Sequence, residues 1–412
     1  MTSAEDHEIL VIGGGIGGLA AALAISRTGR HVRVLERSRQ FGEIGAGIQL
    51  APNATRILDR LGLVGRACSV GVLPRRLVLA DAVDGRELTA LDLTDFPDRY
   101  GAPYIVLHRS DLLDILLQGC TDAGVGLEAA ADVTELRDDG ASVHVTCADG
   151  RAFHGVAAIG ADGLRSRSRT LFSDDQAICS GYVAYRGAVP TEQVERHADG
   201  RDVVAWIGPG LHFVQYPLRR GQMYNQVAVF RSDAFRRGEA DWGTPAELDQ
   251  RFSACCGHVQ ESIRLLGRDN RWPMQDRLPI PTWAKGRIAL LGDAAHPMLQ
   301  YLAQGGCQAI EDASALAAAL ERHCCRPPTG ANVEAALLAY QQVRAPRTAR
   351  VQRAARTWGE IWHLDGAGKL VRDELFRQRR DDDHTHVRWL YARGADSLPW
   401  ADDGEQASTR QG

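Results

Sequence analysis

Two side chains suited to proton exchange stand close together in the run His212-Phe213-Val214-Gln215-Tyr216. Alternate residues of an extended strand share a face, so an imidazole and a phenol would project together from positions 212 and 216, with Val214 between them. Imidazole changes charge near neutral pH, and beside a bound hydroxyl it is a base. The same pair on a sheet face also serves as plain packing. A second chemically loaded stretch is Gly292-Asp293-Ala294-Ala295-His296-Pro297, where an apolar run ends in a carboxylate and leads through Gln300 to Gly305-Gly306 at the start of a helix. Glycines there leave amides open to an anion or an electron-rich edge.

A third stretch explains what such groups could surround. Ile9-Leu10-Val11-Ile12, then Gly13, Gly15 and Gly18 in the G-x-G-x-x-G register, an Ala-rich helix and Val34-Leu35-Glu36 compose a βαβ unit built for a dinucleotide. Gly13 permits the turn, Gly15 lets backbone approach a pyrophosphate, and Gly18 lets the helix lie close on the sheet. Glu36 is spaced to accept bonds from a ribose. From Phe41 to Gln49, Gly42, Gly45 and Gly47 allow either a sharp turn or the close approach of something large. The strand ending Gly160-Ala161-Asp162-Gly163 runs into a basic, Ser-rich helix start, a further place for a charged ligand, although Asp162 alone could be a cap. Ser110 reads as the N-cap of a helix over Asp111 to Thr121. Arg109 just before it is poorly placed for the helix dipole, which hints at an anionic partner or marks an exposed side chain.

These residues need a large scaffold. A chain of 412 residues exceeds one ordinary core, so two domains or one large composite is expected. A net charge of −4 with mixed signs gives no reason to expect nucleic acid or an anionic membrane. The nine cysteines are scattered without zinc-ligand spacing, which fits reduced thiols in a cytoplasmic protein and no metal. Met1 to Asp6 lack the basic start of a signal peptide, and no apolar run is long enough to span a membrane. Leu77 to Leu93 reads as a hairpin turning at Asp84-Gly85, Tyr104 to Leu107 as a strand, and Leu127 to Ala158 as an antiparallel meander. Residues 178 to 232 alternate as four strands of one inserted sheet with a face free to roof a pocket. Pro245 to Leu266, Gln308 to His323 and the Arg- and Trp-rich tail Val333 to Tyr391 read as helical. The tail packs on its own domain or forms a dimer contact.

The glycine turn with Glu36, Gly160-Ala161-Asp162-Gly163 and Gly292-Asp293-Ala294-Ala295-His296-Pro297, in that order, resemble the FAD-dependent aromatic hydroxylases, typified by 4-hydroxybenzoate and salicylate hydroxylases. The likeness spans Glu8 to about Leu390. Pro103-Tyr104, His212 to Leu218, Gln226 to Phe230, Leu299-Gln300-Tyr301 and Trp358 to Gly366 are similar to the 3-hydroxybenzoate 6-hydroxylase subgroup. Gln300 stands where most relatives carry proline.

The resemblance implies an α/β fold, with a Rossmann-like FAD-binding domain over 1–75, 101–180 and 277–345. An inserted β-sheet substrate domain would occupy 76–100 and 181–276, with a C-terminal helical region over 346–412. Gly13, Gly15, Gly18 and Glu36, with Arg37 beside it, would hold the ADP half of FAD. Gly47 and Gln49 would lie near its ribityl chain and ring, Arg109 and Asp293 near its pyrophosphate or ribityl oxygens, and Gly305 and Gly306 at the pyrimidine edge. Asp162 belongs to a motif shared with the pyridine nucleotide.

The implied reaction is hydroxylation of a phenolic aromatic carboxylate by NADH and dioxygen, with NADPH not excluded. 3-Hydroxybenzoate would give 2,5-dihydroxybenzoate through a flavin hydroperoxide. His212 would take the phenolic proton, Gln300 would orient the hydroxyl or the oxidant, and Tyr104 and Tyr216 would hold the carboxylate and ring. Decarboxylative salicylate 1-hydroxylation, a flavin oxidase that inserts no oxygen, and a non-enzymatic Rossmann-like binding protein are the competing readings.

Overall fold

The structure, a computed structural model, describes residues 8–42, 45–194, 200–324 and 330–392. Met1 to Asp6, Glu43 and Ile44 of the glycine loop, and positions 393–412 of the expected C-terminal region lie outside the described residues.

Ile9–Ile12 and Ala157–Gly160 are apolar and buried throughout, Val32–Leu35 is so except at Arg33, and the three sit in the middle of a six-stranded sheet. Its order is Ala284–Lys285, Ile288–Leu290, Ala157–Gly160, Ile9–Ile12, Val32–Leu35 and Gly126–Glu128. All neighbours run parallel except the first pair. Helix Ile16–Arg27 leaves the first strand at the glycine turn and packs on helix Gly305–His323. A Cβ on Gly17 would come within 3.1 Å of both Leu291 and Ala309, so close helix contact depends on its absence.

A seven-stranded sheet makes the second layer, in the order Trp272–Asp276, Ile178–Pro190, Met223–Arg231, Leu211–Leu218, Val203–Gly208, Arg76–Asp81 and Glu87–Asp92. Its alternation separates two faces. Tyr185, Val204, Trp206, Phe213 and Phe230 pack against Leu248, Phe252, Val259 and Ile263 of two short helices. The other face carries Arg186, Val227, His212, Val214 and Tyr216, and turns toward the six-stranded sheet. The fold is therefore α/β, a Rossmann-like unit joined to an inserted β-sheet, with helices Gly330–Trp362, Gly366–Arg377 and Arg388–Tyr391 following. No helix among the described residues is long and apolar enough to cross a membrane.

Two local expectations are corrected. The helix after Leu107 begins at Arg109, and its N-cap is His108, whose ring nitrogen accepts from the Ser110 amide at 3.3 Å; Ser110 lies inside the first turn. The meander is confined to Val133–Asp138, Val143–Cys147 and Ala152–Gly155, because Gly126–Glu128 and Ala157–Gly160 have been recruited by the parallel sheet. The hairpin from Leu77 to Leu93 extends the inserted sheet, through a parallel pairing of Arg76–Asp81 with Val203–Gly208.

Candidate active site

A cavity of about 1960 Å³ opens where the C-terminal ends of the parallel strands meet the free face of the seven-stranded sheet. Gly15, Ala161, Gly163, Gly292 and Asp293 all border it, so the three separated sequence stretches converge on one space. A Cβ on Gly15 or Gly163 would meet nothing within 4 Å, whereas one on Gly13 would strike the Ala161 carbonyl and one on Gly18 the Gly13 carbonyl. Gly13 also has φ +110°, a conformation that side chains disfavour. Gly13 and Gly18 thus build the turn, and Gly15 leaves a cradle for a pyrophosphate-sized group at a helix N-terminus. A dinucleotide fits this cradle.

Other expected cofactor residues divide in two. Gly47, Gln49, Arg109, Asp293, Gly305 and Gly306 line the cavity. Glu36 lies off it, its carboxylate accepting from the amides of Gly14 at 2.7 Å and Ser38 at 2.8 Å, and Arg37 is exposed. The Asp162 carboxylate turns into its own loop, accepting from the Ser168 amide at 3.0 Å and from the hydroxyls of Ser166 and Ser168. Its neighbours Ala161, Gly163 and Leu164 border the cavity, while its own side chain caps the turn. Asp293 faces the cavity, and its carboxyl is shifted upward, first by desolvation, while His296 and Arg109 pull the other way.

Behind that loop lies a buried polar network. Asp312 accepts from the Gly292 amide at 3.0 Å, from His296 at 2.6 Å and from Arg344 Nε at 2.7 Å. Arg344 and Arg347 both pair with Glu311, which also accepts from Asn53 at 2.6 Å. Desolvation opposes ionisation of both carboxylates, but the two arginines and His296 hold them below the usual range.

The far wall carries two imidazoles and two phenols. His212 is 1% exposed. Its Nδ1 lies 2.9 Å from Nε2 of His363, and its Nε2 has no hydrogen-bond partner among the described residues. Burial, then the neighbouring imidazole, pushes the His212 pKa well down, and burial takes that of His363 to about 3. Both rings are neutral at pH 7. Tyr104 donates to Gln49 Oε1 at 2.7 Å, and Tyr216 is drawn to the same amide. Burial raises both phenols, so they stay protonated. Tyr104 has therefore spent its only proton on Gln49, and that proton is not free for a substrate carboxylate. A Cβ on Gly47 would overlap the Tyr216 ring, while the Gly47 amide donates to Asn225 at 2.7 Å. Gln300 accepts from Arg186 Nη2 at 2.9 Å.

Sequence reasoning passed over Arg186, His363 and Asn225. Arg186 left a trace, as the one charge on the inward face of Tyr182-Val183-Ala184-Tyr185-Arg186. His363 left none, because its partner is 151 residues away.

Comparison with known proteins bears on this constellation. A family model described as "FAD binding domain" matches residues 6–355. The chain is 39% identical over 389 residues to 3-hydroxybenzoate 6-hydroxylase of Polaromonas naphthalenivorans (strain CJ2), covering 94% of this chain and 96% of that one. It is 38% identical over 405 residues to 3-amino-4-hydroxybenzoate 2-monooxygenase of Streptomyces cremeus, covering 97% and 98%. Among solved structures, Klebsiella pneumoniae HpxO complexed with FAD and uric acid superposes with a TM-score of 0.79 at 28% identity, covering 90% of this chain and 93% of that one.

Proposed function

We propose, from the premise that this chain belongs to the FAD binding domain family and is an FAD-dependent aromatic monooxygenase, that it converts 3-hydroxybenzoate to 2,5-dihydroxybenzoate with NADH and dioxygen. The observation that carries the reading is the unpartnered, buried Nε2 of His212 on the cavity wall. Relatives from three organisms named for this reaction, 34–39% identical, support the choice of substrate.

Gly13, Gly15 and Gly18, with Glu36 behind them, would hold the ADP half of the cofactor. Arg109 and Asp293 would meet its middle, and the amides of Gly305 and Gly306 its ring edge. Bound FAD supplies the redox chemistry, taking a hydride from the nicotinamide and activating dioxygen.

The protein's task is then to make the ring electron-rich. A phenol titrates near 10 and His212 well below 6.5, so complete proton transfer in the ground state would cost at least about 5 kcal/mol. His212 instead accepts a hydrogen bond from the hydroxyl and takes the proton as the ring loses electrons to oxygen and its hydroxyl becomes acidic. Gln300, held by Arg186, orients the hydroxyl, while Tyr216 and Tyr104 frame the ring.

The test is anaerobic mixing of the holoenzyme with NADH and a panel of hydroxybenzoates, followed by product identification in air. Rapid flavin bleaching with 3-hydroxybenzoate and formation of 2,5-dihydroxybenzoate are expected. Catechol with carbon dioxide would establish salicylate chemistry, and peroxide equal to NADH consumed an oxidase. The Streptomyces relative makes 3-amino-4-hydroxybenzoate the second substrate to include.

A further inference from the structure

The buried face of the seven-stranded sheet holds a positive charge that the polypeptide does not neutralise. Arg186 donates through Nη2 to the neutral amide of Gln300 at 2.9 Å and touches Met274 Sδ at 4.0 Å. Its Nε has no partner, and no carboxylate among the described residues pairs with it. The Trp272 ring lies 5.9 Å away, and Arg109 is close enough to repel it. A guanidinium keeps its proton in proteins, so a largely buried one without a counter-ion calls for an anion from outside the chain.

The register of the sheet says where that anion sits. Arg186 pairs with Val227, and Val227 with Val214 on the next strand but one. His212 pairs with Val229, which in turn faces Ala184, so His212 lies two strands across and two residues along from Arg186. With strands about 4.8 Å apart and residues rising about 3.4 Å, the two Cα atoms stand about 12 Å apart on one face. Val214 and Val227 make the apolar floor between them, and Tyr216 borders it on the third side. The guanidinium and the imidazole therefore border one apolar floor from opposite corners. Tyr104, the other expected anchor, is occupied by Gln49.

Resting on the hydroxybenzoate reading above, we infer that Arg186 binds the carboxylate of the aromatic substrate, forming a two-point clamp with His212 on the hydroxyl, and thereby selects phenolic acids over neutral phenols. Arg186 is the charge-assisted, bidentate-capable end of this clamp. His212 is the neutral end, so the substrate cannot enter reversed without leaving its carboxylate unpaired.

The experiment compares two ligands that differ at one group. 3-Hydroxybenzoate and 3-hydroxybenzamide are titrated into oxidised holoenzyme without NADH, and binding is read from the change in flavin absorbance. Wild type is expected to prefer the acid by about 100-fold. Arg186→Met should lose most of that preference by weakening the acid about 100-fold, while the amide stays within about threefold; Arg186→Lys should keep part of it. Equal weakening of both ligands, an undiminished preference for the acid, a wild type indifferent to the charge, or a variant that purifies without flavin would each overturn the assignment. A wild type that prefers the acid yet forms no dihydroxybenzoate would remove the proposed reaction and leave the anchor standing. A wild type that binds neither ligand would end both.

Discussion

His212 and His363 face each other with Nδ1 and Nε2 2.9 Å apart and their rings stacked at 5.1 Å, although one comes from the start of strand Leu211–Leu218 and the other from just beyond the long helix Gly330–Trp362. Two neutral imidazoles at that distance share one proton. When His212 supplies it from Nδ1, its Nε2 is left unprotonated, the tautomer a base requires. Tyr182 stacks on the outer side of His363 at 4.6 Å and fixes its plane.

Replacing His212 by Ala should lower hydroxylation by about 10²- to 10⁴-fold while leaving NADH-driven flavin reduction near the wild-type rate. Stopped-flow traces of the two half-reactions separate these effects. Unchanged hydroxylation would eliminate His212 as the base.

His363 acts through His212, and its substitutions should divide by chemistry. His363→Gln keeps an acceptor for the Nδ1 proton and should retain most of kcat. His363→Phe keeps only the stacking and should lose about tenfold in kcat with little change in KM. Equal losses in the two variants would leave His363 a packing role alone.

A histidine whose folded pKa is about 3 is protonated in the unfolded chain long before it is in the native one. The unfolded state then binds more protons below pH 6.5, so His363 removes stability as pH falls from about 6.5 toward 3, by of the order of 5 kcal/mol over the whole interval. His363→Gln should flatten the acid limb of a denaturation-versus-pH curve. By the same reasoning neither imidazole of the pair should place a limb between pH 6.5 and 8 in the free enzyme's kcat/KM profile.

Two glycines four residues or fewer apart should fail differently. Gly15→Val has open space before it and should fold as a pale protein with weakened FAD retention. Gly18→Val drives its side chain into the Gly13 carbonyl and should lose folded yield itself. Circular dichroism beside the flavin-to-protein absorbance ratio distinguishes the outcomes.

Asp312→Ala strips the partner from buried His296 and one of two carboxylates from buried Arg344 and should cost about 3–5 kcal/mol. Because Asp312 also holds the Gly292 amide, FAD affinity should fall with the unfolding midpoint. A normal flavin content with a lowered midpoint would show that the network supports the helices but not the loop.

What could be read from the chain followed local rules. The turn at Gly13, Gly15 and Gly18 is specified within six residues, and period-two alternation identified the strands bearing His212 and Tyr216. Whether Gly126–Glu128 joined the meander or the parallel sheet was settled by partners far along the chain, which no local pattern records. Ser110 lost the capping position because His108 offered its ring nitrogen to the same turn. Arg186 and His363 were illegible for a related reason, since the meaning of a buried charge or imidazole lies in what stands opposite.

The helix Gly330–Trp362 and the residues just after it give the pocket Trp358, Trp362 and Leu364, and give His212 its only ring-nitrogen partner among the described residues. During biosynthesis these segments leave the ribosome after both sheets. A nascent chain with the nucleotide turn, both sheets and the buried base already made still has an open-sided pocket, and the enclosure that keeps water from the reaction is added after them.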